Sequence, residues 1–147
     1  MKKLTAIFAG LFLLFSASAF TTNALNVSAK IKSEFEKKFS SVSDVTWKQV
    51  EDIYVASFKV KGKEFSVAYN EEGELLVMGR YISLSQVPLN VSLSLDEKYG
   101  KYTIDESVIE LSVDQTLYYI TAENEKFKLQ IKSDASGNLS VMKKTKK

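Results

Sequence analysis

The residue types that most often carry chemistry are scarce in this chain. It has no histidine and no cysteine among its 147 residues, which removes the common zinc and copper ligands, thiol nucleophiles and the base of a serine triad. The densest group of carboxylates, Glu71, Glu72 and Glu74, surrounds Gly73. This group could bind a hard cation, but it lacks the alternating oxygen ligands of a calcium loop and is more typical of a charged hairpin turn.

Most of the other carboxylates fall in predicted turns or on polar helix faces, and the sequence offers no acid and base pair. We therefore predict no catalytic residues, no metal site and no cofactor. Aromatic side chains are the next candidates for binding. Trp47 is the single tryptophan, and its place at the start of a predicted strand just after a helix favours a packing anchor over a ligand platform.

Tyr118 and Tyr119 are adjacent in a predicted strand, so they point to opposite faces of the sheet. One of them therefore lies on the face away from the core. The sequence leaves open which one, and we take Tyr119 as the candidate binding residue.

The amino terminus has the pattern of a secretory signal peptide over residues 1–19. Two lysines precede an apolar run over residues 4–15, and small residues follow it. The run is shorter than the roughly 20 residues that span a bilayer, which favours cleavage, after Ala19 or Ala24, over retention as an anchor. We expect a periplasmic or secreted protein in which residues 20–26 form a flexible lead.

The charge of the mature chain is balanced. Removing the two lysines of the signal from the 20 basic residues leaves 18, equal to the 18 acidic residues, which argues against a nucleic-acid-binding protein. The only charge run contains four lysines near the carboxyl end. Residues 144–147 are predicted to be a solvated, frayed basic tail rather than a polyanion site.

Two amphipathic helices are predicted from apolar residues that recur every four positions. The first contains Val27, Ile31, Phe35 and Phe39, and the second, which follows Pro88, contains Val91, Leu95 and Tyr99. Strands are predicted over residues 45–50, 53–60, 63–70, 74–83, 107–113, 116–122, 126–133 and 138–143. The short connections between consecutive strands indicate antiparallel pairs.

The two halves match at a shift of 64 residues. Pairs with this separation include Tyr54 and Tyr118, Phe65 and Leu129, Val67 and Ile131, and Gly73 and Gly137. Such periodicity predicts two tandem copies of one supersecondary unit, over residues 27–83 and 84–143. The predicted fold class is α+β, in which two helix-plus-four-strand units place both helices on one face of a curved antiparallel sheet.

The alternation of strand residues assigns side chains to the two faces of this sheet. Phe127, Leu129 and Ile131 are expected to face the helices. By the shift of 64, Phe65, Val67 and Tyr69 face them as well. The face away from the helices, called the opposite face below, is then predicted to carry Glu64, Ser66, Ala68, Lys128, Gln130 and Lys132 together with Tyr119.

Several short motifs in this order resemble an exported bacterial family described as beta-lactamase-inhibitor-like and PepSY-like. They are Val45-Thr46-Trp47-Lys48, Tyr54-Val55-Ala56-Ser57-Phe58, Gly62-Lys63, Ala68-Tyr69-Asn70, Gly73-Glu74-Leu75, Val87-Pro88 and Tyr118-Tyr119. The resemblance covers residues 27–142 and departs from the family at Ser40, where a proline is usual. It implies a fold like that of the beta-lactamase inhibitory protein, and it supplies no catalytic residues.

We therefore expect a non-enzymatic binding module whose opposite face binds an exported protein or peptide. Two alternatives remain at this stage. One is a structural protein associated with the cell envelope, and the other is an enzyme with an unrecognised carboxylate site. The sequence predicts neither the oligomeric state nor an inhibitory activity.

Overall fold

The computed structural model describes residues 26–112 and 114–147. The predicted signal peptide and nearly all of the flexible lead lie outside these residues. The helices are α1 (Ala29–Lys38) and α2 (Leu89–Tyr99), with a short 3-10 helix (Leu84–Gln86) before α2. The strands are β1 (Thr46–Val50), β2 (Ile53–Val60), β3 (Lys63–Tyr69), β4 (Leu75–Ser83), β5 (Thr103–Ile104), β6 (Ser107–Ser112), β7 (Thr116–Glu123), β8 (Phe127–Asp134) and β9 (Leu139–Lys146).

Both helices begin and end where the sequence pattern predicts. Ser28 caps α1, since its hydroxyl accepts a hydrogen bond from the backbone N–H of Ile31 at 3.3 Å. Pro88 stands at the start of α2, where its missing N–H costs nothing, and Gly100 follows the last helical residue. In each helix the residues spaced by four positions form the buried stripe.

All the strands belong to one antiparallel sheet with the order β1-β2-β3-β4-β6-β7-β8-β9, and β5 pairs with β7 beyond the first residue of β6. The two meanders are joined by the pairing of β4 with β6. This confirms the α+β class and the antiparallel sheet. The two-residue strand β5 was not predicted, because two residues carry no alternation.

The helices lie on the same face of the sheet. Around α1 the buried residues are Val27, Ile31, Phe35, Ala56, Phe58, Val67 and Tyr69. Around α2 they are Ile82, Val87, Val91, Leu95, Val108, Tyr118, Ile120, Ala122, Leu129 and Ile131. Trp47 packs edge-on against Phe35, with ring centroids 5.4 Å apart, so it is the packing anchor that the sequence predicts.

Two hairpin turns press against the helices in the same way. Gly73, between β3 and β4, lies against Lys30 and Glu34 of α1, and Gly137, between β8 and β9, lies against Asn90 and Ser94 of α2. The turns share their hydrogen bonds as well: the backbone N–H groups of residues 74 and 138 donate to the side chains of residues 70 and 134. These equivalent contacts agree with the shift of 64, while the tandem duplication itself stays a prediction.

The carboxyl end corrects one prediction. Residues 144–147 do not form a frayed tail, because β9 continues to Lys146 and pairs with β8 from Phe127 to Ser133. Lys144 Nζ lies 3.9 Å from the centre of the Phe127 ring. The backbone N–H of Lys147 donates to the carbonyl of Lys126 at 3.0 Å. The lysines are part of the sheet through this backbone pairing, and the Lys144 ammonium gains a cation–π contact with the Phe127 ring.

Candidate binding face

The register of the sheet places every predicted binding residue on the opposite face. Tyr119 pairs with Lys132 across β7 and β8, and Gln130 and Lys128 follow at alternate positions of β8. Ser66 pairs with Ser57 across β3 and β2. Tyr118, in contrast, packs among the side chains beneath α2, which resolves the alternative that the sequence left open.

These residues form two separate groups rather than one site. Tyr119, Lys128, Gln130 and Lys132 lie together on β7 and β8, while Glu64 and Ser66 lie on β3, with β4 and β6 between them. Three strand spacings put the groups about 14 Å apart.

The residues of the β3 group already have partners of their own. Glu64 Oε1 is 3.3 Å from Lys59 Nζ, and the hydroxyls of Ser57 and Ser66 are 2.8 Å apart.

Sequence reasoning missed the largest feature of this face, which is an apolar cluster. We call it the opposite cluster, and its members are Val55, Ala68, Val77, Ile109, Leu111, Leu117 and Tyr119. All are buried, although both described helices pack on the other face. The sequence does contain a signal for this cluster. These residues alternate with the core residues along β2, β4, β6 and β7, so both faces of the central strands are apolar.

Tyr119 differs from the exposed aromatic anchor that the sequence suggests. Its side chain is buried within the opposite cluster and is only 5% exposed. Burial raises the pKa of its phenol, because the charged form would lose its hydration. Tyr119 therefore contributes apolar surface at the boundary between the cluster and the lysines of β8.

The strands β8 and β9 give the opposite face a basic side. Lys128 and Lys132 lie on β8, and Lys143 pairs with Gln130 across β9, so all three share this face. None of the three forms an ion pair with any residue that the structure describes. This side therefore carries uncompensated positive charge.

The helix face contains one ion pair near its middle. Arg80 Nε donates to Glu110 Oε1 at 2.7 Å across β4 and β6, and this hydrogen bond raises the pKa of the Arg80 guanidinium. The pair lies at a cavity of about 220 Å³ that Phe65 and Met78 also line. Since the Glu110 carboxylate is held by a guanidinium, it is suited to joining β4 to β6 rather than to general acid or base work.

Within residues 26–112 and 114–147, no cluster of three or more acidic side chains could hold a metal ion. Glu71, Glu72 and Glu74 instead surround the turn at Gly73, where the Asn70 amide donates to Glu74 Oε2 at 2.7 Å. No helix in the described part of the chain is long and apolar enough to cross a membrane.

Comparison with solved structures shows that this fold is shared. A Bacteroides eggerthii protein that is described provisionally as periplasmic superposes with a TM-score of 0.71 at 17% identity, and the match covers 83% of this chain and 90% of that chain. A DUF2874 family protein from Bacteroides ovatus gives 0.70 at 20% identity, covering 86% and 89%. A BLIP-like protein from Bacteroides fragilis gives 0.69 at 20% identity, covering 84% and 89%.

No protein-family model matches the chain, and no curated protein sequence matches it significantly. The structural likeness therefore establishes the fold, which is BLIP-like, at sequence identities where fold does not fix function. It confirms the fold that the short motifs imply.

Proposed function

We propose that this protein is an exported, non-enzymatic binding module that binds a protein or peptide through the opposite face of its sheet. The observation that carries the proposal is the basic side of that face. Lys128, Lys132 and Lys143 share it, and none of the three forms an ion pair with any residue that the structure describes. Uncompensated charge of one sign on a face attracts a partner of the opposite sign.

Export is supported by the signal-like amino terminus and by the provisional periplasmic description of one structural neighbour. A non-enzymatic role is supported by the chemistry of the chain. Histidine and cysteine are absent. Among the described ion pairs, the most buried carboxylate is that of Glu110, and Arg80 holds it by a hydrogen bond.

The test is a pull-down from envelope and culture-supernatant fractions of the source cells. The bait is the exported protein, compared with a variant that carries Lys128→Glu and Lys132→Glu and whose circular dichroism spectrum and unfolding transition show that it is folded. We expect a specific partner that the native protein retains and the variant loses. Equal recovery of that partner by both proteins would place the binding surface elsewhere, and recovery of no partner at any salt concentration would count against a binding module.

A further inference from the structure

The strand β1 is the outermost strand at the end of the sheet remote from β9. Among the described strands it pairs only with β2. A two-residue turn closes this hairpin, and beyond such a turn hydrogen-bonded pairs alternate with pairs that are not hydrogen-bonded to each other. Since Val50 and Ile53 are the pair beside the turn, Trp47 and Gln49 direct their backbone N–H and C=O groups outward. The edge of β1 therefore offers hydrogen-bonding groups to a further strand.

A groove of about 450 Å³ lies between this edge strand and α1. Its apolar lining consists of Phe35, Phe39, Val42, Val45 and Trp47. Phe35 is buried, whereas the other four side chains are only partly buried. The groove therefore has an accessible apolar surface, and its volume lies in the range of about 300–1,000 Å³ that is usual for binding pockets.

The helix α1 runs antiparallel to β1 along this groove. Phe39, which follows α1, packs on Phe58 with ring centroids 5.1 Å apart, and this part of β2 lies beside the start of β1. Glu34 lies against Gly73, which follows the end of β3, where β2 and β3 lie beside the end of β1. The earlier residues of α1 therefore lie near the end of β1, and the later ones near its start.

Two charged residues in the lining give the groove a direction. Lys32 and Glu36 are one helical turn apart, about 6 Å along α1, and neither belongs to an ion pair within residues 26–112 and 114–147. Side chains on one face of an extended chain repeat every two residues, at about 6.6 Å. An acidic and a basic side chain two positions apart can thus pair with Lys32 and Glu36 at once. A third side chain, two positions farther on, reaches the apolar end of the groove beside Phe39 and Val42.

We propose that β1 and α1 bind an extended segment of another protein that is added antiparallel to β1. Its side chains toward α1 are, in chain order, acidic, basic and large apolar at alternate positions. Antiparallel pairing is chosen because it is slightly more stable per residue than parallel pairing. Backbone hydrogen bonds to Trp47 and Gln49 supply affinity, and the groove supplies specificity, as in other sites of strand addition. This surface is separate from the opposite face and does not depend on the proposed function.

Fluorescence anisotropy with labelled peptides of about seven residues tests the inference, a length that covers β1 and one residue beyond each end. The first peptide has glutamate, lysine and phenylalanine at alternate positions, with threonines elsewhere because threonine favours extended chains. The second exchanges the glutamate and the lysine, and the third has serine for phenylalanine. With the exported form of the protein, we expect the first peptide to bind about fivefold more tightly than the second, and the third not to bind measurably.

Methylation of backbone nitrogens in the first peptide tests strand addition itself. In antiparallel pairing the peptide residues whose side chains face α1 are those hydrogen-bonded to Trp47 and Gln49. N-methyl groups on these residues should weaken binding at least about tenfold, because each removes a donor. N-methyl groups on the alternate residues, whose N–H groups face water, should change binding little. Equal effects of the two sets would overturn the inference.

Two protein variants assign the groove, and circular dichroism shows whether each is folded. Lys32→Glu with Glu36→Lys leaves the net charge unchanged and should reverse the preference between the first two peptides. Val42→Asp should weaken binding of the first peptide about tenfold, because it puts a charge at the apolar end of the groove. Its matched control is Val141→Asp, at an exposed valine of β9, which should bind as the native protein does.

An unchanged preference in the charge-exchanged variant, or equal binding by Val42→Asp and Val141→Asp, would contradict the inference. So would a dimer of the native protein that light scattering detects and Val42→Asp dissociates, since a second copy of the chain would then occupy the groove. Loss of peptide binding in the variant with Lys128→Glu and Lys132→Glu would place the peptide on the opposite face instead.

Discussion

Replacing three turn glycines by alanine should give three different losses of stability, in an order set by what lies beside each turn. Gly62, Gly73 and Gly137 all have positive φ, at +77°, +79° and +85°. A left-handed backbone costs an alanine about 1 kcal/mol or somewhat more. That cost is common to the three variants, so the differences between them measure the contacts made by the new methyl group.

The methyl group meets different surroundings at each turn. At Gly62 nothing lies within 4 Å of it, and at Gly73 it would lie 3.3 Å from Glu34 Cγ, part of a flexible side chain. At Gly137 it would lie 2.5 Å from the Asn90 carbonyl oxygen. Because that oxygen belongs to the backbone of α2, the turn and the helix must move apart, at a cost of about 1–3 kcal/mol.

We therefore expect losses of about 1 kcal/mol for Gly62→Ala, slightly more for Gly73→Ala, and about 2–4 kcal/mol for Gly137→Ala. Urea unfolding followed by far-ultraviolet circular dichroism measures these values, since it reports on the whole sheet. With an m value of about 2 kcal/mol per M, a loss of 3 kcal/mol lowers the midpoint by about 1.5 M. Equal midpoints for the three variants would refute the close packing of the β8–β9 turn on α2.

Three further predictions concern buried polar groups and processing. Tyr69→Phe should be neutral or stabilising by up to about 1 kcal/mol, because the Tyr69 hydroxyl is buried with no hydrogen-bond partner in the structure as described. Burial raises the pKa of the Tyr69 phenol above 10.0; the native protein should thus lose stability as pH rises past 10, and the variant should lose less, as unfolding at several pH values will show. Glu110→Ala should cost about 1 kcal/mol in urea unfolding by leaving the partly buried Arg80 unpaired, and a loss no larger than for an exposed Glu125→Ala control would contradict this. Mass spectrometry of the exported protein should find Phe20 or Leu25 at its amino terminus, whereas an intact Met1 in membranes would contradict export with cleavage.

Much of the fold could be predicted because local patterns and the final structure agree. In β8, apolar Phe127, Leu129 and Ile131 alternate with polar residues, so one strand was enough to assign both faces. The repeat then carried that assignment to β3. That the two halves share one sheet could be seen only in the structure. The pairing of β4 with β6 joins strands separated by a helix, and such a pairing has no local sequence signal.

The opposite cluster could not be predicted by the same route. In β7, Leu117, Tyr118, Tyr119 and Ile120 are consecutive apolar residues, which puts apolar side chains on both faces of that strand, but one such strand does not show that its neighbours add to a cluster. The prediction extended the polar pattern of β8 across the whole face. Only the register shows that the polar residues of β8 lie at one side of an apolar centre.

The lysines of β9 have a consequence for how the protein behaves at high concentration. An antiparallel sheet that ends in an uncovered strand offers unpaired backbone groups to any neighbouring chain, which is a route to fibrous aggregates. Here β9 is one of the two outermost strands, and Lys143, Lys144 and Lys146 stand along it. A second copy of the chain approaching this edge would have to bring charges of the same sign together. The lysines of β9 therefore disfavour edge-to-edge association of the sheet.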